Sequence, residues 1–315
     1  MASFIDFENI TYCGQEAQDI FSEDVYRSDL RSLGITFMDG VKGKKKIYTG
    51  EMGDVWQSYS CPFTPEGEVA LSEDFIEVKP IKVNMEACFS DFWDSWLVEQ
   101  TEISLNGGIP QTFSEWFFAK LRDKMAEEYE EIFWQGDESY SGTAKAYLKV
   151  IDGVEKQLED NSGVTKVNGA TFTVDNAVAQ VEAVITSGMA IAAEAGVATD
   201  NYKVFINHAD AAILRIALGK ICCTPLAGFS NYSINGDRMS IFGFEIVETK
   251  QSRGTVIFAP GKNLILGFDT FDSHVEYKLI DMRNSTGDNM FRVIAISNIG
   301  AGIAFPALAV YSRPE

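Results

Sequence analysis

Between Phe113 and Phe133 apolar side chains return every three or four positions: Phe113, Phe117, Leu121, Met125, Tyr129, Ile132 and Phe133 form one stripe. That period predicts an amphipathic helix over 113–134, about 33 Å long at about 1.5 Å per residue. Thr112 followed three residues later by Glu115 is a capping box at its start, and Gly136 is a stop signal at its end. Glu127, Glu128, Glu130 and Glu131 read as its solvated acidic face. Upstream, from Gly34 to about Met85, the pattern changes to strands. In "DFIEVKPIKVNM", Ile76 and Val78 fall on one face and Glu77 and Lys79 on the other, the period of a half-exposed strand. Together with "KKKIYTGEM" and the turn residues Pro62, Pro65 and Gly67, this predicts a long hairpin with its tip near 61–74. A two-stranded hairpin is marginal alone and needs a partner, which a neighbouring subunit would supply.

Residues 1–34 show no sustained period and read as an extended arm with one short helix near 24–33. Phe4, Ile5, Phe7, Ile10, Tyr12 and Phe21 make it too apolar to stay solvated, so it should lie on something. Downstream of 143, helical and strand patterns alternate: "TAKAYLKVIDGVEKQLED", "TVDNAVAQVEAVITSGMAIAAEAG", the buried strand "YKVFIN", then "ADAAILRIALGK", with Asp175 or Asn176 and Asp210 as helix caps. After about 228 the text is mainly strands. Near its end, twenty uncharged residues separate Arg292 from Arg313. That length suits a membrane helix, but Ser297, Asn298, Gly300, Gly302 and Pro306 interrupt the run. Two buried strands, 291–297 and 303–311, folded back at 298–302, explain it better.

Composition sets limits on function. Forty-six acids against 26 bases give a formal net charge of −20, which disfavours sequence-independent phosphate binding. The imbalance is uneven: residues 1–30 hold seven acids and one base, whereas Lys42, Lys44, Lys45 and Lys46 form a basic cluster. Opposite patches on one chain suit association between copies. Five scattered cysteines without a C-x-x-C pair fit a reducing compartment. No basic segment followed by an apolar one opens the chain, so synthesis in the cytosol is expected.

Reactive constellations are missing from the text. His208, after a strand and before a helix, reads as a helix-start histidine, and His274 as a loop or strand-edge residue. There is no H-E-x-x-H and no histidine pair for a metal. "NIGAGIAF" has Phe305 where a dinucleotide loop needs its third glycine, and "GFSNY" has Tyr232 where a nucleophile elbow needs its last. Cys222 and Cys223 read as packing residues, and Asp269 with Asp272 as a solvated acidic pair. Asn9, Asn231 and Asn284 match glycosylation triplets that carry no meaning without secretion. No catalytic, cofactor or metal residue is therefore assigned, and the chain reads as a non-enzymatic assembly subunit.

The order of these elements resembles the major capsid proteins of tailed bacteriophages, the α+β Hong-Kong-97-type shell fold. "TFSEWFFAKLRDKMAEEYEEIFWQGD" with "SGTAKAYLKV" is similar to that family's spine helix and the loop after it. "YKVFINHADAAILRIALGK", "MSIFGFEIVETKQSRGTVIFAP" and the closing "KLIDMRNSTGDNMFRVIAISNIGAGIAFPALAVYS", with Arg292, resemble its later strands and helix. The resemblance implies an N-terminal arm (1–34), an E-loop hairpin (35–85), a P-domain (86–140) with the spine helix, an A-domain (141–275) and closing P-domain strands (276–315). It implies pentamers and hexamers tiling an icosahedral head around double-stranded DNA, which is enclosed without specific binding. The E-loop would lie across an adjacent subunit and the arm would reach beneath a neighbour. The expected partners are copies of itself, a separate scaffolding protein, since Met1 leads directly into the arm, a portal, and a decoration or cement protein. The place implied is the virion capsid, assembled in the cytoplasm of a bacterial host, with no membrane. An encapsulin-type nanocompartment shell is the alternative.

If the closing strands are buried, Ala295→Asp or Ile303→Asp abolishes soluble assembly. Soluble particles from either variant would show that the strands are not buried.

Overall fold

In this computed structural model the described residues are 10–314, apart from 14–15, 18, 21–29, 31–32, 53–55, 57, 60–68, 106–111, 222–231, 236–237, 270–275 and 284–285. One long helix holds two sheets together. It runs Phe113–Gln135 (α2, following α1 at Phe89–Leu105). Thr112 and Glu115 complete the capping box in both directions: the Glu115 amide donates to Thr112 Oγ1 (3.3 Å) and the Thr112 amide to Glu115 Oε2 (3.0 Å). All seven residues of the predicted stripe are buried. The acidic face is less solvated than its pattern suggests. Glu130 is buried and paired with Lys250 at 3.3 Å, and Glu131 takes Lys145 at 2.8 Å and the Tyr147 hydroxyl.

The first sheet has the order β1-β13-β14-β12-β2, with β5 also on β14. Its strands are β1 (Ile10–Cys13), β2 (Thr36–Met38), β5 (Lys79–Cys88), β12 (Leu264–Gly267), β13 (Glu276–Asp281) and β14 (Met290–Ile303). β1 is the described strand of the arm, and it pairs with β13 of its own chain, Ile10 opposite Leu279, while Ala17, Leu30 and Leu33 are buried in the core around α2. The expected short helix near 24–33 lies largely outside the described residues.

β14 overturns the reading of two strands folded at 298–302. It is one 14-residue strand, with Ser297 and Asn298 paired to Ile81 and Pro80 and Gly300 and Gly302 paired to Gly267 and Ile265. The glycines serve close approach here instead of a turn. A Cβ on Gly300 would strike the Glu77 carbonyl, and one on Gly302 would press the Ile76 side chain at 3.1 Å. Glycine inside a strand marks a place where another backbone comes close.

The second sheet runs β6-β15-β11-β7-β10-β9-β8. It comprises β6 (Thr165–Gly169), β7 (Tyr202–Asn207), β8 (Tyr232–Asn235), β9 (Arg238–Ile241), β10 (Phe244–Thr249), β11 (Val256–Pro260) and β15 (Val310–Pro314). Helices α4 (Ala177–Glu194) and α5 (His208–Ile221) share one core with Val204, Ile206 and Phe258 of this sheet. Phe205, Ile257 and Tyr311 instead join the core of α2 and the short helix α3 (Val154–Asp160). Burial on both faces explains the unbroken apolar text of β7. α4 is long and apolar enough to cross a membrane by composition, but here it lies against β11, with the Phe258 ring in the space a side chain at Gly188 would need.

Several boundaries move. β15 belongs to the second sheet, so 276–315 does not close the first sheet alone, and β12 within 141–275 belongs to the first. Asp210 does not cap α5. Asn207 Oδ1 accepts from the Ala209 amide at 2.9 Å, while Asp210 is buried and accepts from the Gly254 amide at 2.5 Å. Asn176 occupies the N-cap of α4, but its side chain turns back to the Thr173 amide (2.8 Å) and the Thr171 carbonyl (3.0 Å).

α2 does end at Gly136, for a packing reason. Its φ is −53°, outside the left-handed region. Gly136 and Gly153 bond through Gly153 N to Gly136 O at 2.8 Å. A Cβ on Gly153 would meet Gly136 N at 2.7 Å and the Ile132 carbonyl at 2.8 Å. Gly136→Ala or Gly153→Ala should therefore each cost about 1–3 kcal/mol through overpacking, read as a lower urea midpoint with unchanged slope. Wild-type midpoints would refute the close approach.

Candidate assembly surfaces

β3 (Lys44–Met52) and β4 (Val69–Glu77) pair antiparallel from Lys44 opposite Glu77 to Met52 opposite Val69. Val69–Asp74, expected in the hairpin tip, are thus strand. Of the connection 53–68, Trp56, Ser58 and Tyr59 alone are described, so the predicted tip at 61–68 lies outside the described residues. Ile76 and Val78 pack with Val41 and Ile265 in a small core of their own, and the Val78 amide donates to the Gly43 carbonyl at 2.7 Å. This fastens the hairpin base to the first sheet.

Among the described residues, the opposite hairpin face meets nothing that would cover it. Tyr48 is 61% exposed and Phe75 50%, between the ion pairs Lys44–Glu77 (3.0 Å) and Lys46–Glu73 (2.5 Å). Lys46 sits 5.6 Å above the Phe75 ring. Exposed pairs of this kind contribute little by themselves. Trp56 and Tyr59 stand almost fully exposed. Aromatic area left in water is a signature of a surface meant to be covered.

α1 is a second such surface, and the sequence reading assigned it no element. Its inner face packs Phe89, Phe92 and Trp96 around Phe113 and Phe291. Its outer face carries Leu97 (48% exposed), Val98 (58%) and Leu105 (82%). Apolar residues on both faces erase the one-sided period by which a helix is recognised. α1 has four acids and no base. Glu99 is held by Trp116 Nε1 (2.5 Å) and Lys120 (3.0 Å), whereas Asp91, Asp94 and Glu102 are exposed.

No family model matches the chain, and no curated protein matches it in sequence. Its fold is nonetheless similar to solved capsids along nearly its full length. The procapsid of satellite phage P4, which includes the size-determination (Sid) protein, aligns with a TM-score of 0.63 at 10% identity, covering 97% of this chain and 93% of that one. The capsid of Myoviridae phage XM1 gives 0.57 at 11% identity, over 100% and 96%. A virus-like particle from Pyrococcus furiosus gives 0.50 at 11% identity, over 95% and 99%. The chain has the phage capsid-shell fold.

On this capsid-shell fold the described residues considered for chemistry have local structural partners. His208 begins α5 as expected, with Nδ1 3.0 Å from Glu248 Oε2. Asp269 is buried, not solvated, and its amide donates to Asn298 Oδ1 at 2.8 Å. Asp272, His274, Cys222, Cys223, Asn9, Asn231 and Asn284 lie outside the described residues. Among the described residues, no group of three His, Cys, Asp or Glu is arranged to hold a metal.

Carboxylates do converge on one loop, in a structural role. Between β10 and β11, Lys250 pairs with Glu130 of α2, the Ser252 amide donates to Glu155 of α3 at 2.5 Å, and Arg253 pairs with Asp210 of α5 at 3.3 Å. Three helices are thereby tied to one end of the central strands of the second sheet. Burial pushes the Glu155 carboxyl above its ordinary 4.5, and hydrogen bonds from Ser252 and the charge of Arg313 offset this only in part. A carboxyl raised on folding holds its proton better in the folded state, so its contribution to stability falls as pH rises past the ordinary value. Glu155→Gln, which keeps an acceptor for the Ser252 amide, should melt like wild type near pH 4 and above it at pH 8. Equal destabilisation at every pH would refute this.

Proposed function

We propose that this protein is the major shell subunit of a tailed double-stranded DNA bacteriophage, assembling as pentamers and hexamers into an icosahedral head. The observation that carries the reading is the pairing of a capsid-shell fold over nearly the whole chain with a hairpin whose aromatic face is exposed among the described residues. In this reading the hairpin is the E-loop lying across a neighbour, α2 the spine helix, the first sheet the P-domain and most of the second sheet the A-domain. The N-terminal arm, whose β1 lies on its own chain, would from there reach beneath a neighbour. Closed shells repeat a few heterologous contacts, which gives two or more uncovered patches on one chain a common purpose. A scaffolding protein, a portal and a decoration or cement protein would be its other partners. A net charge of −20 suits a container whose contents must leave. Assembly would take place in the bacterial cytoplasm.

A nanocompartment shell of the encapsulin type is the second reading, favoured by the match in fold to the Pyrococcus furiosus virus-like particle. Size-exclusion chromatography and negative-stain microscopy of the expressed chain should show closed particles, and a small discrete oligomer that never closes would overturn both readings. Nuclease-protected double-stranded DNA in particles from the native source supports the phage head, and a co-purifying cargo enzyme supports the compartment. Empty particles should be retained weakly on DNA cellulose and released by modest salt. Tight retention at physiological ionic strength would contradict the container argument.

A further inference from the structure

We propose that the outer face of α1 in one copy docks on the lysines at the hairpin base of a second copy. Leu97, Val98 and Leu105 give this face an exposed apolar stripe, and Asp91, Asp94 and Glu102 add exposed charge of one sign. Like charges facing one another disfavour α1 against α1. The face therefore calls for a basic partner, and the chain carries one run of lysines. Within that run Lys44 and Lys46 are engaged by Glu77 and Glu73, while Lys42 and Lys45 are exposed and form no ion pair among the described residues. Their four-carbon stems can cover leucine and valine while the ammonium groups reach the carboxylates.

Within one chain no ion pair joins the two surfaces among the described residues, and they are attached at opposite ends of one strand. The hairpin joins the first sheet where Lys79 pairs with Ile299, and α1 leaves it where Cys88 pairs with Met290. These points are the two ends of β5, a ten-residue strand, roughly 30 Å apart at about 3.3 Å per residue. An acidic face at one end of a rigid strand and a basic one at the other make a head-to-tail contact, the heterologous kind from which rings and shells are built. The inference rests on the shell reading only in supposing that copies associate.

Charge reversal tests it. Lys42→Glu with Lys45→Glu, and separately Asp91→Lys, Asp94→Lys and Glu102→Lys, should each give a folded chain, with wild-type circular dichroism and melting, that no longer forms particles. The chain carrying both sets should form them again. In wild-type particles, zero-length carbodiimide crosslinking should join Lys42 or Lys45 to Asp91, Asp94 or Glu102, with the two peptides traced to different copies by isotope labelling. Particles from either one-sided variant, failure of the combined chain to recover, or absence of those crosslinks would overturn the contact while leaving the shell reading intact. If the wild type forms no particles, the shell reading falls, and the crosslinks in whatever oligomer forms still decide the contact.

Discussion

Phe117 and Phe291 meet with ring centroids 4.7 Å apart, and Trp134 meets Phe205 at 5.5 Å. The first contact ties the start of α2 to β14 of the first sheet, and the second ties its end to β7 of the second. One helix thus supplies a core wall to both sheets, and Tyr129 adds a buried hydroxyl bond to Ser297 of β14 at 2.7 Å between those ends. Aromatic burial on this scale dominates a core. The loop at 250–254 and the glycine contact at 136 and 153 then secure the end of the helix that leans on the second sheet.

The same constraint accounts for what is left outside. With its inner face committed to α2, the first sheet keeps β5, while β4, which leads into it, pairs with β3. The hairpin they begin has only Val41, Ile76, Val78 and Ile265 to hold its base. Beyond that base a two-stranded ribbon has no core to join, and its aromatic face is in water. α1 is in a similar position: its inner face is spent on Phe113 and Phe291, and its outer leucines and valine are exposed among the described residues. Rigid attachment with an uncovered face is the mechanical requirement of a subunit that builds an extended wall, because the contact must point in a fixed direction.

Much of this was legible in the text because the signals were local. A stripe every three or four residues with a capping box can only be an amphipathic helix, and alternation through 74–79 can only be a half-exposed strand. α1 was illegible because both of its faces are apolar. The break at 298–302 was misread because the reason for those glycines lies in Ile76 and Glu77, more than two hundred residues away. Asp210 was misread as a cap because its partner, the Gly254 amide, belongs to another strand connection.

The amino-acid sequence by itself determined the elements whose stabilisation is short-range: α2 with its cap, the hairpin strands, the apolar runs of β7 and β14, and an acidic surface carrying one lysine cluster. Tertiary structure decided which sheet each strand joins, that β15 leaves the first sheet for the second, and that Glu130 and Glu155 are buried joints instead of solvated charge. It also decided which apolar faces remain exposed. Those outcomes depend on which surfaces are already occupied when long-range layers close, and that is a property of the assembled fold that no window of sequence contains.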